Sequence, residues 1–213
     1  MYTDCEGIIL RQVKTAYGRR MIVVLSDKYG KISAGTSIPE KGKNKSSLAL
    51  RPFTRGRFEL YKSKDSYNIN GAEALESYFS IGEDVDKFFA ASNVLEMTDR
   101  MLEDEQAVKP IYDLLCEFLQ VLSNRKSSYD FLVTAYEIKA LVFLGLSMAQ
   151  NPLIQKESSD KIKVIEYIEK NSISSMKDLT LEAGLDKSLQ KTVRSYISYH
   201  LGIDKLKSEG LMV

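Results

Sequence analysis

The spacing of the apolar residues changes once along this chain, near residue 72, and this change limits what the chain can fold into. Before it, five short segments rich in β-branched and aromatic residues alternate with turn residues. These segments lie at residues 6–13, 19–26, 31–36, 57–61 and 67–70. After residue 72, apolar residues recur mostly at steps of three and four, the period of an amphipathic helix. The pattern predicts an α+β protein in which a β module precedes an all-helical one.

The β module is short and has one long internal connection. Its five predicted strands end by Asn70, and Ser37–Leu50 separates the third strand from the fourth. This arrangement fits a five-stranded OB-type β-barrel, a fold that often binds single-stranded nucleic acid across one face. Phe53 and Phe58 are expected in the barrel core. The predicted domains are an OB domain at residues 1–80 and a helical domain at 81–213.

The helical module is predicted to be a bundle, with its most apolar helix, at residues 129–146, in the centre. The other predicted helices lie at residues 72–79, 83–105, 110–124, 161–169 and 188–201, with a short helix and turn at 175–184. Pro110 is placed in the first turn of its helix, where a missing N–H is tolerated. Gly202 is placed as the residue that ends the last helix.

Charge is divided between the two modules. Residues 1–70 carry 14 Lys and Arg against 6 Asp and Glu, a net charge of +8, whereas residues 71–213 carry 16 against 23, a net charge of −7. Arg11–Arg57 alone holds 12 cationic residues and 2 acidic ones. Such a density of positive charge on β elements indicates a surface that contacts phosphates. Two halves of opposite sign indicate two modules with different partners.

The candidate nucleic-acid-binding residues are the cations of this basic segment, together with a tyrosine beside a turn glycine. They are Arg11, Lys14, Tyr17, Arg19, Arg20, Lys28, Lys31, Lys41, Lys43, Lys45, Arg51, Arg55 and Arg57. The three lysines of the long connection alternate with small or polar residues. Their ammonium groups are therefore expected to be mobile and to contact phosphates without sequence preference. Any one of these charges, taken alone, could be an ordinary solvated group.

The residues that catalytic and metal sites usually need are sparse. His200 is the single histidine, and the chain has no Cys/His cluster with zinc-ligand spacing, so neither a zinc site nor a Ser/His/Asp triad is supported. Gly42-Lys43 lacks the earlier glycine and the following Ser or Thr of a nucleotide-binding P-loop. We therefore expect a protein that is not an enzyme and that uses no cofactor and no metal.

The expected compartment is the cytoplasm. No run of about 18 apolar residues predicts a membrane span, and the N-terminus carries acids where a secretory signal would be positive. Cys5 and Cys116 lie far apart in sequence, and in a chain without an export signal they are expected to be reduced thiols.

Eight short motifs follow one another along the chain and are informative as an ordered set. They are Gly7-Ile8-Ile9-Leu10-Arg11, Tyr17-Gly18, Gly30-Lys31-Ile32, Lys45-Ser46-Ser47-Leu48, Pro52-Phe53, Ala90-Ala91-Ser92, Leu201-Gly202 and Lys205-Leu206-Lys207-Ser208. In this order the chain resembles the RecO family of bacterial recombination-mediator and repair proteins over most of its length. The resemblance implies an OB fold that binds single- and double-stranded DNA. It also implies a location at the bacterial nucleoid.

The resemblance further implies the partners of the helical domain, which are RecR and the C-terminal tail of the single-stranded-DNA-binding protein. Members of the family anneal complementary strands and help load RecA without hydrolysing ATP. Many relatives carry a four-cysteine zinc motif after the central helix, but Gly145–Ser159 here contains no cysteine. Arg19-Arg20 stands where relatives often have an acid, which makes the expected face more basic. The partner-docking groove is expected to be apolar with a basic rim, at a place that the sequence leaves open.

Two other functions remain open. Residues 161–201 have a loose helix-turn-helix rhythm, in which Lys187, Lys191 and Arg194 would belong to the recognition helix of a transcriptional regulator. That function would leave the N-terminal basic segment unexplained. An RNA-binding OB protein is the second alternative, because positive charge does not distinguish DNA from RNA.

Overall fold

Five strands close into a barrel in the N-terminal part of the protein. The computed structural model describes residues 1–15, 20–39, 45–64, 66–127 and 129–208, with the side chain of Lys45 also outside the description. The strands are β1 (Tyr2–Lys14), β2 (Arg20–Ser26), β3 (Gly30–Thr36), β4 (Thr54–Lys62) and β5 (Tyr67–Ser77). Their order around the barrel is β1-β2-β3-β5-β4, and β4 pairs back onto β1. The predicted OB-type barrel is confirmed.

The length of β1 allows it to close the barrel. Residues 2–8 pair with β4 and residues 7–14 pair with β2, with a register shift between Ile9 and Arg11. All neighbouring strands are antiparallel except β3 and β5, which pair in parallel over three residues. A bulged strand bends and twists more strongly, which helps a small sheet to close.

The barrel has an apolar interior and an apolar patch on its outside. Ile22, Val24, Phe58, Leu60 and other inward side chains form the interior, to which the short helix α1 (Lys45–Ala49) contributes an alanine. Four outward aliphatic side chains instead join the core of the helices, and these are Ile8, Leu10, Val23 and Leu25. Full burial of such a side chain contributes about 1.5–3 kcal/mol. The barrel and the helices therefore stabilise each other through one continuous core.

The helices follow β5 and pack around a central one. They are α2 (Val85–Met101), α3 (Lys109–Asn124), α4 (Tyr129–Phe143), α5 (Ser159–Lys170) and α6 (Ala183–Leu201), with 3-10 turns at Phe79–Glu83, Ile154–Lys156 and Ser174–Met176. Ten of the eleven residues from Phe131 to Leu141 in α4 are buried, all but Lys139, which confirms the central position of this helix. Pro110 lies in the first turn of α3, and Gly202 ends α6 with a φ of 65°, as predicted.

Two predictions about the junction of the modules are wrong. Residues 72–79 are not a helix, since Ala72 pairs with Phe58 and Ala74 with Gly56 in the continuation of β5. Helix-forming residues are held in a strand here because β4 offers a ladder that closes the barrel, and tertiary pairing overrides propensity. The second wrong prediction is the helix at residues 83–105, which ends at Met101. Glu105, with a φ of 58°, instead donates its N–H to the carbonyl of Lys31.

Among the helices described, none is both long enough and apolar enough to cross a membrane.

Candidate nucleic-acid interface

One end of the barrel brings together cations from three parts of the basic segment. Lys14 and Arg20 face each other as the last residue pair of the β1–β2 ladder. Gln12 donates from Nε2 to the carbonyl oxygen of Leu50 at 2.6 Å, which holds Arg51 beside β1. We call Lys14, Arg20 and Arg51 the basic end of the barrel.

Arg20 is fixed in place by its own hydrogen bonds. Its Nη1 donates to the carbonyl oxygen of Ile38 at 2.7 Å, and its Nη2 donates to Oε1 of Gln12 at 3.0 Å. Its Nε is buried and has no hydrogen-bond partner among the described residues. Lys14 and Arg51 are exposed beside this half-buried guanidinium. Within the described part of the chain, no carboxylate forms an ion pair with Arg20 or Arg51.

Several predicted contacts belong to segments that begin and end beside these residues. Tyr17, Arg19, Lys41 and Lys43 lie outside the described residues, so the predicted mobility of the lysines lies outside them too. Lys45 begins α1, and the described neighbour Ser47 donates from its hydroxyl to the carbonyl oxygen of Pro39 at 2.9 Å. The described residues that flank both segments are thus attached to the same end of the barrel.

Two other predicted cations face the helices and share one acid. Arg11 places Nε 2.6 Å from Oδ2 of Asp99 in α2. The Nζ of Lys31 lies 3.5 Å from Oδ1 of Asp99 and 3.4 Å from Oδ1 of Asp104, and it donates to the backbone carbonyl of Asp99 at 2.7 Å. The side chain of Lys31 is only 12% exposed, whereas that of Arg11 is 52% exposed. Lys31 thus holds the barrel to α2, and Arg11 keeps an accessible surface.

The remaining predicted cations lie beside acids on the outside of the barrel. The Nζ of Lys28 donates to the backbone carbonyl of Asp4 at 2.9 Å. Arg55 and Arg57 both approach Glu6, at 3.9 Å and 3.5 Å respectively. Local carboxylates offset these positive charges and so weaken the attraction of this surface for phosphate.

A cleft of about 940 Å³ opens where the barrel meets α2 and the chain that follows α6. Its apolar lining includes Leu10, Phe53, Phe88 and Leu95. The rings of Phe53 and Phe88 pack edge to face with 5.6 Å between their centroids. The prediction that Phe53 lies in the barrel core is therefore wrong, because its backbone has a φ of 56° and its side chain belongs to the core of the helices. Phe58 does lie in the barrel interior, as predicted.

The rim of the cleft is basic. Its cations are Arg11, Arg100, Lys205 and Lys207. Its two carboxylates already have partners, since Asp99 binds the barrel cations and Glu96 accepts hydrogen bonds from the chain after α6. Positive groups therefore remain available on this rim for a negatively charged ligand.

Glu96 holds the segment that carries two of these cations. It accepts hydrogen bonds from the backbone N–H of Lys207 at 2.8 Å and from the N–H and hydroxyl of Ser208 at 2.9 and 2.8 Å. Arg100 donates to the carbonyl oxygen of Lys205, while Ile203 and Leu206 are buried. Burial opposes ionisation of Glu96, but these hydrogen bonds outweigh it and lower the pKa of the carboxyl below its usual value.

Comparison with known proteins agrees with this architecture. Residues 1–78 match the family described as Recombination protein O N terminal, and residues 82–151 match Recombination protein O C terminal. The chain belongs to the RecO family. The resemblance inferred from the short motifs is confirmed.

Curated relatives extend the match beyond the central helices. The chain is 23% identical over 232 residues to the DNA repair protein RecO of Alkaliphilus metalliredigens, covering 94% of each chain. It is 26% identical over 144 residues to the DNA repair protein RecO of Acetivibrio thermocellus, covering 68% of this chain and 57% of that one. The corresponding protein of Listeria monocytogenes is 28% identical over 144 residues, covering 67% of this chain and 55% of its own. Several relatives are thus matched over little more than half their length.

The stretch in which many RecO relatives are expected to carry zinc is held here by a carboxylate. Glu169 of α5 accepts hydrogen bonds from the N–H groups of Met148 and Ala149 at 2.7 and 3.1 Å and from the hydroxyl of Ser147 at 2.9 Å. Within the described ranges, no group of three or more His, Cys, Asp or Glu residues is placed to hold a metal ion. Cys5 and Cys116 are free thiols in this RecO-family chain.

The sequence did not point to the residues that form the cleft. Lys205 and Lys207 appeared only within a family motif, yet their alternation with Leu206 places one buried side chain between two exposed ones. The helix-turn-helix alternative loses one of its three cations, because Nη2 of Arg194 lies 2.8 Å from Oε1 of the buried Glu137. Lys187 and Lys191 remain exposed on α6.

Proposed function

We propose that this RecO-family protein is a non-enzymatic DNA-binding protein of recombinational repair. In this proposal it binds single- and double-stranded DNA, anneals complementary strands and, together with RecR, helps to load RecA at the nucleoid in the bacterial cytoplasm. The observation that carries the proposal is the basic end, where Lys14, Arg20 and Arg51 meet at one end of an OB-type barrel. Family membership supports the role in DNA repair.

The basic end suits contact with phosphates rather than with particular bases. Arg20 is a positioned guanidinium, while Lys14 and Arg51 are exposed and can follow the backbone of a strand. Cations that neutralise phosphates release counterions whatever the base sequence. Reduced phosphate repulsion also lets two complementary strands approach each other, so annealing requires no covalent step and no proton transfer.

The interface that we propose keeps some predicted residues and gives others a different role. Tyr17, Arg19, Lys41, Lys43 and Lys45 stay in it, because the described residues flanking their segments meet the basic end. Lys28, Arg55 and Arg57 would contribute only long-range attraction, because acids offset their charges. Arg11 is given a role at the cleft, and Lys31 a structural one.

We propose the cleft as the docking place for the C-terminal tail of the single-stranded-DNA-binding protein. The resemblance implies that partner, whose tail combines acidic and apolar residues. The cleft offers an apolar floor that includes Phe53 and Phe88, and cations from the barrel, α2 and the chain after α6 surround it. Apolar anchoring with charge complementarity at the rim is a recurrent mode of peptide recognition.

The salt dependence of binding to a labelled single-stranded oligonucleotide tests the proposed interface. We expect the double variant K14A/R51A to weaken binding about tenfold for any base sequence, and to make the slope of log affinity against log salt shallower by about 1.4. The matched control, K28A/R57A, removes the same charge from side chains that are 51% and 50% exposed. Equal effects of the two double variants would contradict the proposed interface.

The RNA alternative is tested in the same assay. Single-stranded DNA and RNA of the same base sequence compete for the protein, and an RNA that displaces the DNA at a much lower concentration would favour RNA binding. Protection of one defined duplex sequence would instead favour the transcriptional regulator.

A further inference from the structure

We propose that DNA at the basic end and an acidic peptide in the cleft weaken each other's binding, because both use Arg11. This inference rests on the proposed functions of the two surfaces and adds a coupling between them. Its consequence is a transfer step, in which a protein recruited by an acidic tail releases that tail as it binds the DNA strand.

The two surfaces are joined by two short runs of chain. On β1, Leu10 and Arg11 line the cleft, and Lys14, three residues further, belongs to the basic end. In the turn before β4, Arg51 belongs to the basic end, and the next two residues line the cleft. A ligand bound to either surface therefore has one end close to the other surface.

Arg11 is the cation at their border. In the structure it donates through Nε to Asp99 at 2.6 Å, and this is its one described hydrogen bond. A guanidinium has five N–H donors, so the Nη groups of this half-exposed side chain can reach a carboxylate or a phosphate. The two Nη groups of one guanidinium cannot bind both ligands at once. Occupation of the cleft by a carboxylate thus removes Arg11 from the path of the DNA.

Charge repulsion acts in the same direction. Three residues of extended strand span about 10 Å, which is close to the Debye length at 0.1 M salt. Arg11 and Lys14 leave β1 on opposite faces, so acidic residues bound at Arg11 and phosphates bound at Lys14 lie at about this distance or somewhat further apart, where repulsion is weak but not absent. Both effects weaken the second ligand, and linkage requires that the factor be the same in either order of addition.

Fluorescence anisotropy with the full chain measures this coupling. One probe is a labelled 20-nucleotide oligothymidine, and the other is a synthetic peptide of four aspartates followed by three apolar residues. We expect saturating peptide to weaken oligonucleotide binding about fivefold or more, and saturating oligonucleotide to weaken peptide binding by the same factor. A peptide with serines in place of the apolar residues shows how much of the effect is non-specific charge.

The variant Arg11→Gln tests the assigned residue, and Arg57→Gln is its matched control. Arg57 is 50% exposed against 52% for Arg11, and it also lies beside a carboxylate. We expect R11Q to bind each probe alone, somewhat more weakly, with coupling reduced to less than about twofold. R57Q should keep the full factor.

The outcomes separate this inference from the proposed function. If both probes bind the wild-type protein and neither affects the other, or if each strengthens the other, the coupling is refuted while the two binding functions stand. Full coupling in R11Q would refute the role of Arg11. Failure of either probe to bind the wild-type protein would refute the proposed function of that surface, and the coupling with it.

Discussion

Replacing Glu96 by alanine tests how the cleft is built. Three hydrogen bonds from Lys207 and Ser208 end on this carboxylate. A hydrogen bond to a charged group contributes about 1.5–3 kcal/mol, and partial exposure to water reduces that value. We therefore expect E96A to lose about 2–3 kcal/mol in total, which corresponds to a melting temperature lower by roughly 5–10 °C for a chain of this size.

The effect should depend on pH in one direction. The pKa of Glu96 is lowered in the folded protein relative to the ordinary value of 4.5. Its contribution to stability is thus fully present above about pH 4.5 and is lost as the pH falls through the lower, folded-state pKa. The wild-type protein and E96A should accordingly differ most at neutral pH and converge in acid.

Thermal unfolding followed by circular dichroism gives the stability difference, and hydrogen exchange reports on residues 203–208 directly. The matched control is E103A, which removes an exposed glutamate just after α2 for which no contact is described. If E96A and E103A unfold alike and exchange in residues 203–208 is unchanged, the carboxylate does not hold this segment. Peptide affinity should also fall in E96A alone, because Lys205 and Lys207 lose their fixed place on the rim.

Two further predictions concern buried groups. Lys31→Ala should lower the free energy of unfolding by about 1–2 kcal/mol, because Asp99 keeps only Arg11 as a partner. It should leave the salt slope of DNA binding unchanged, and K64A is the surface control for both measurements. Burial raises the pKa of Cys5 to about 11 from 9.0, so its thiol should resist an aromatic disulfide reagent at pH 8 until the protein unfolds. Because that pKa is raised, the contribution of this thiol to stability is present below about pH 9 and is lost as the pH rises toward 11.

The sequence predicted the element types where one periodic signal dominated. Alternating apolar residues around Phe58 and Leu60 predicted a strand, and the long apolar segment of α4 predicted a central helix. The structure has both. Residues 72–79 show where this fails, since their composition favours a helix while the open ladder of β4 imposes a strand. Propensity describes a segment alone, whereas this strand depends on pairing with β4, from Ala72 with Phe58 to Ser77 with Thr54.

The net charge of the basic segment predicted a phosphate-binding surface, but it did not predict which of its residues form that surface. The excess of cations in Arg11–Arg57 pointed to phosphate, yet those whose side chains the structure describes have three different surroundings. The burial of Lys31 against Asp99 could not be read from sequence, because it depends on how α2 crosses the barrel. The cleft could not be predicted from the sequence for the same reason, since the barrel, α2 and the chain after α6 each form part of it.

The packing of α2 and α3 on the barrel also limits how much of the barrel surface is open to the proposed DNA ligand. OB folds often bind nucleic acid across the outer face of β2 and β3. Here Val23 and Leu25 on that face are buried in the core of the helices, and Lys31 is tied to Asp99. The other outward residues of these two strands are Met21, Ser33 and Gly35, and of these Ser33 is exposed. In the proposed function, a strand therefore binds at the basic end rather than across the whole face. The same packing that covers part of the usual OB surface also creates the cleft at its border, so the two proposed binding surfaces are consequences of one interface.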